Sequence, residues 1–167
     1  MMKTKILLVI VFLMGTVSVF AQDTLRQGNL TYVKDLRGFV RSIESTKLVI
    51  EDNYLDAYIS NMPVSDADVK RIFRTIFSKA RAEELGKSKY SVMCFFHFNC
   101  IKQQLCYASF HNIEKGPFLL TPEEMKKIED VYRTFKYNFV ARDDTKVKRL
   151  TIESTGSVDF VDLYNDN

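Results

Sequence analysis

Apolar residues are laid along this chain in three patterns, and each predicts a different element. The first is a continuous run over residues 6–14, preceded by Lys3 and Lys5 and followed by the small-residue positions Val19 and Ala21. A positive end, a short apolar centre and that cleavage pattern predict a signal peptide over residues 1–21, removed before Gln22. A retained anchor is the competing reading, because the segment stays loosely apolar as far as Phe20 and approaches the roughly 20 residues that span a bilayer. The short centre and the cleavage pattern favour removal. No cysteine follows the cleavage point, so the expected product is periplasmic or secreted, is not a lipoprotein, and has no stable membrane insertion.

The second pattern places apolar residues at steps of three and four. Val69, Ile72, Phe73, Ile76, Phe77 and Ala80 fall on one side of a helix, while Lys70, Arg71, Arg74, Lys79 and Arg81 lie mostly outside that stripe. The Ser65 hydroxyl can cap the first turn, Asp66 and Asp68 suit its positive end, and Gly86 suits the left-handed residue that closes a last turn. One helix from Ser65 to near Leu85 is therefore expected. Another is expected over residues 122–136, announced by Thr121 as cap, Pro122 at the first helical position and Glu124 to complete a capping box. Met125, Ile128, Val131, Tyr132 and Phe135 supply its apolar stripe.

The third pattern is a dense block of Phe, Tyr, Val and Cys over residues 90–112, interrupted by polar residues 99–104. It predicts a hairpin with strands near 90–98 and 105–110. Further strand candidates are 47–51, 147–153 and 157–164, and Phe39, Val40 and Ile43 are candidates for an additional strand that turns at residues 45–46 into 47–51. Separated helices beside a hairpin-containing sheet predict an α+β fold, a two-layer sandwich with two helices on one face of an antiparallel or mixed sheet. Residues 22–167 have the length of one domain, with the segment 22–44 the least determined.

Charge narrows the partners. The full chain carries a net +3, and loss of Lys3 and Lys5 with the leader brings it to about +1. No Lys/Arg run provides the one-sided surplus that displaces counterions from phosphates, so nucleic acid is not an expected partner. There is no glycine-rich phosphate loop, no Gly-x-Ser-x-Gly elbow and no His-Glu-x-x-His pattern. Paired acids such as Glu123-Glu124 and the acidic end at Asp159, Asp162 and Asp166 have capping or solvation as their simplest roles, and no cofactor is expected.

The one constellation with chemical potential is Cys94, His97, Cys100, Cys106 and His111, all in or beside the hairpin. Cys94-x-x-His97-x-x-Cys100 has the residue types of a zinc site, but strand alternation sends Cys94 and His97 to opposite faces, against a shared ion. An oxidising destination favours a disulfide, and a hairpin centred on Cys100 sets Cys94 opposite Cys106; a turn centred one half-step later aligns Cys94 with Tyr107 and removes that pair. A Cys/His nucleophile and base is the third reading, and a buried thiol acting as a small apolar residue is the fourth.

The helix, the hairpin CFFHFNCIKQQLCYASF and the stretch LLTPEEMKKIEDVYRTFKYNF together resemble small uncharacterised secreted proteins of Bacteroidota-type bacteria. Their order also resembles the C-terminal domain of TonB energy transducers, although the long Pro-rich spacer of a transducer is missing. The resemblance implies a fold used for protein contacts, in which a sheet edge pairs with an extended peptide. The expected function is a secreted or periplasmic noncatalytic module that binds an envelope or secreted protein or a peptide. The alternative is a small extracytoplasmic hydrolase or thiol redox protein using the hairpin.

Overall fold

A computed structural model describes residues 23–45, 57–99, 102–141 and 150–165. Its main sheet has six strands: β1 (Thr24–Gln27), β2 (Leu30–Lys34), β3 (Phe39–Ser42), β5 (Ser91–Asn99), β6 (Gln104–Asn112) and β8 (Leu150–Asp159). They lie in the order β1-β2-β3-β6-β5-β8, and every neighbouring pair is antiparallel. A separate two-stranded ladder joins β4 (Ala57–Ile59) to β7 (Phe139–Ala141). Three helices complete the described residues: α1 (Asp66–Ile76), α2 (Lys79–Lys87) and α3 (Pro122–Arg133). The fold is α+β, with the helices packed against the sheet, and no helix among the described residues is long and apolar enough to cross a membrane.

The expected helix from Ser65 is two helices. Ser65 does cap the first, accepting from the Asp68 N–H, but Phe77 leaves helical geometry (φ −104°, ψ 126°) and Ser78 begins again as a cap for Arg81. The apolar spacing runs through this break because Phe77 is still needed in the core. It stacks on Phe73 at 5.7 Å and meets Phe160 edge-on at 5.0 Å. The buried face of α2 is then set by Ala82 and Leu85. Gly86 is not the closing left-handed residue, because that conformation falls on Lys89 (φ 50°). Gly86 is small because a Cβ there would stand 3.3 Å from the Val161 backbone.

Thr121 and Glu124 form the capping box of α3, which ends at Arg133 and buries Met125, Ile128 and Tyr132. Of the segment 22–44, residues 24–42 form a three-stranded meander, and Ile43 lies in the turn beyond β3 with 40% exposure. Residues 150–153 and 157–159 of the two late strand candidates belong to the single strand β8, residues 147–149 lie outside the described residues, and beyond β8 Phe160 and Leu163 turn back into the core. Residues 47–51 lie outside the described residues. Tyr132 stacks on Phe96 at 4.0 Å, joining α3 to the hairpin.

One polar tie joins the helices. Arg81 of α2 donates to both oxygens of Glu124 on α3, at 2.7 and 3.1 Å, and to the Leu119 carbonyl at 2.9 Å. Burial pushes the Glu124 carboxyl up, but the Arg81 bonds and the Thr121 N–H outweigh it and hold the group below its ordinary value. Removing one partner of such a part-buried pair strands the other charge. Arg81→Ala is expected to lower unfolding stability by about 2 to 3 kcal/mol in urea titration. Arg71→Ala breaks a pair with 74% and 40% exposed side chains and is expected to cost about 0.5 kcal/mol or less. Equal losses would contradict the assigned roles.

Candidate functional site

The hairpin divides the candidate chemistry between two faces of the sheet. Alternation along β5 buries Val92, Cys94, Phe96 and Phe98 beneath the helices and leaves Met93, Phe95 and His97 half-buried on the opposite, outer face. Strand β6 sends Ala108 and Phe110 inward until a bulge, where His97 pairs with Tyr107 but Phe98 pairs with Leu105. Cys106 is the extra residue of that bulge.

This register decides where each sequence-derived site residue stands. Cys94 faces Phe110, not Cys106, and both Cys94 and Cys106 are free thiols, so the expected Cys94–Cys106 disulfide is not formed. The turn is the reason. Asn99 accepts from the Lys102 N–H at 2.8 Å and Gln103 takes φ 50°, so the hairpin reverses beyond residue 101 and carries Cys94 past Cys106. Burial pushes the Cys94 thiol up to about 12, and it also raises the half-buried Cys106 thiol. Both shifts oppose thiolate chemistry at neutral pH. Cys100 lies outside the described residues.

His97 and His111 share the outer face, across the sheet from Cys94. Phe39 and Met93 both pair with His111, and Arg41 and Phe95 both pair with Ser109. His97 bonds Ser109 (Nε2 to Oγ, 3.0 Å) and stacks on Tyr107 at 4.1 Å. Of the four described members of the cluster, His97 and His111 therefore lie on the face opposite Cys94. Among the described residues, no group of three or more His, Cys, Asp or Glu side chains is placed to hold a metal ion.

The outer face instead forms a groove of about 370 Å³ lined by Phe39, Phe95, His97 and Tyr107, with Asp35, Arg37, Arg41 and Ser109. Phe39 meets Phe95 edge-on at 5.3 Å and lies 4.9 Å from His111. Asp35 Oδ1 accepts from the backbone N–H groups of Arg37 and Phe39, fixing the turn that delivers Phe39. Two buried polar atoms on this face, Arg41 Nε and His111 Nδ1, have no hydrogen-bond partner.

The Ser109 and His97 pair has the spacing of a nucleophile and base, but among the described residues of the groove lining the only carboxylate that could orient such a base is Asp35. Asp35, the one acid in the lining, is engaged with backbone, and Ser109 is only 5% exposed. Phe39, Arg41, Tyr107 and Ser109 escape a reading of the sequence because they come together only when β3 pairs with β6. Comparisons with protein families, with curated proteins and with solved structures find no match to this chain.

Burial, and then the Arg41 charge, lower the His97 pKa from 6.5 to about 4. The unfolded chain then binds the proton more readily between those values, so the His97 contribution is present at pH 7 and is lost as pH falls through 6.5 towards 4. Wild type is expected to lose about 2 to 3 kcal/mol more than His97→Gln between pH 7 and pH 4 in urea titrations. Parallel pH profiles would contradict this placement of the imidazole.

Proposed function

We propose that the protein is an exported, noncatalytic binding module whose outer sheet face engages a protein or peptide bearing a carboxylate beside an apolar side chain. The observation that carries this reading is the pairing of an aromatic groove with the unpartnered Nε of Arg41, one of the residues that line it. Leaving buried polar groups unpaired costs about 1 to 3 kcal/mol each, and a partner's acceptor at Arg41 recovers part of that cost. Phe39 and Phe95 offer apolar contact, while Arg37 and Arg41 outnumber Asp35 and make the groove cationic. An acidic residue next to an apolar one matches both features.

Export rests on the leader over residues 1–21. The likeness to TonB-type domains supports a protein-contact role, and β8 adds a route for strand addition, being a ten-residue strand at one end of the sheet order. The groove is preferred because it has side-chain features that select a partner.

Selection of displayed peptides on the exported protein tests the reading. Enriched peptides are expected to pair Asp, Glu or a free C-terminus with an apolar residue, and Arg41→Ala or Phe95→Ala is expected to weaken them tenfold or more, about 1.4 kcal/mol. Peptides that bind both folded variants as tightly as wild type would overturn the groove. Ester hydrolysis abolished by Ser109→Ala would favour the enzymatic alternative. The exported protein is expected to begin at Gln22 on N-terminal sequencing, and retention of Lys3 would overturn the cleaved leader.

A further inference from the structure

On the helix side of the sheet, a cavity of about 330 Å³ lies between α3 and the inner face of β2, closed by the turn after β3 and by the β6 bulge. Lys126, Glu129 and Arg133 form its helical wall, at one-turn spacing, and Leu30, Tyr32 and Ile43 face them. Tyr32 is 1% exposed, yet its hydroxyl has no hydrogen-bond partner. Glu129 is 4% exposed and carries a carboxylate into this apolar setting.

The cations in the wall are already engaged. Arg133 donates from Nη2 to Glu129 Oε1 at 2.7 Å and to the Cys106 carbonyl at 2.7 Å, and from Nη1 to the Leu105 carbonyl at 3.2 Å. Lys126 pairs with Asp130. What remains available is acceptor chemistry, namely the second oxygen of Glu129 and the phenol oxygen of Tyr32, with Glu44 at the rim. Burial, followed by the negative charge of Glu129, holds the Tyr32 hydroxyl above its ordinary pKa. Tyr32 is thus a neutral phenol in a negative field, which attracts a cation and repels an anion. An anion would also have to pull Arg133 from two carbonyls and a carboxylate.

We propose that this cavity binds a small organic cation, a guanidinium or primary ammonium group on a short apolar stem. Its N–H groups donate to Glu129 and to the Tyr32 oxygen, and its stem lies against Leu30 and Ile43. The site lies on the opposite side of the sheet from the outer groove, with Tyr107 lining both, and does not depend on the function assigned there.

Titration of the whole protein with butylguanidinium, followed by calorimetry and by amide shifts in NMR spectra, tests the proposal. Saturable binding with a Kd of about 1 mM or tighter is expected, with shifts centred on Tyr32 and Glu129, while butyrate and butanol bind at least tenfold more weakly. Glu129→Gln, nearly isosteric, is expected to weaken the cation tenfold or more, and Tyr32→Phe several-fold, both with native-like spectra. Should Glu129→Gln fail to fold, Tyr32→Phe decides the matter, since it removes one oxygen and keeps the ring. The proposal is overturned by butyrate binding as well as the cation, by no saturation up to about 10 mM, or by an unchanged Kd in folded Tyr32→Phe. Arg41→Ala is expected to leave cation binding unaltered, and a matching loss there would also overturn it.

Discussion

The period-2 alternation of the central hairpin is the constraint from which the rest of this structure follows. Val92, Phe96, Phe98 and Phe110 are essentially without solvent contact on the inner face, and a slip of one residue would expose all of them and bury Met93, Phe95 and His97 instead. At about 1.5 to 3 kcal/mol for each large apolar side chain withdrawn from water, exposing these four costs about 6 to 12 kcal/mol, comparable with the whole stability of an ordinary domain and only partly offset by burying Met93 and Phe95. The register is therefore fixed by the core. The chemistry on the outer face is where it is because the aromatic residues beneath the helices must be where they are.

This constraint also explains why residues that lie close along the chain are divided between two faces of the sheet. Cys94 has the alternation parity of the core and behaves as a small apolar side chain. His97 has the opposite parity and finds Ser109 and Tyr107 across the strand. The bulge at Cys106 adjusts the end of β6 so that Leu105 still faces the core after Tyr107 has faced outward. It also turns the Leu105 and Cys106 carbonyls towards Arg133, which joins the hairpin to α3 beside Glu129. A single extra residue thus links the sheet register to the wall of the inner cavity.

Much of the fold was legible in the sequence wherever one local rule acted alone. Ser65, Thr121 and Glu124 cap as their types and spacing predict, the hairpin strands lie within a residue or two of their expected bounds, and the opposition of Cys94 and His97 follows from alternation. The misreadings occur where two rules compete. An unbroken stripe through Phe77 hides a helix break that Ser78 caps, because the core needs Phe77 in either geometry. Gly86 looks like a helix stop but is a point of close approach to the backbone at Val161. The hairpin register depended on Asn99 and Gln103, turn residues whose conformations composition does not reveal. The outer groove was not legible, since Phe39 and Arg41 reach Ser109 and His111 only through a pairing between strands more than sixty residues apart.

The most direct measurement is the hairpin register itself, read from cross-strand proton contacts in NMR spectra of the folded protein. Contacts between Cys94 and Phe110, His97 and Tyr107, and Phe98 and Leu105, with Cys106 unpaired between them, are the predicted result. A cross-strand contact between Cys94 and Cys106, or His97 on the same face as Cys94, would contradict the division of the sheet into a core face and an outer face.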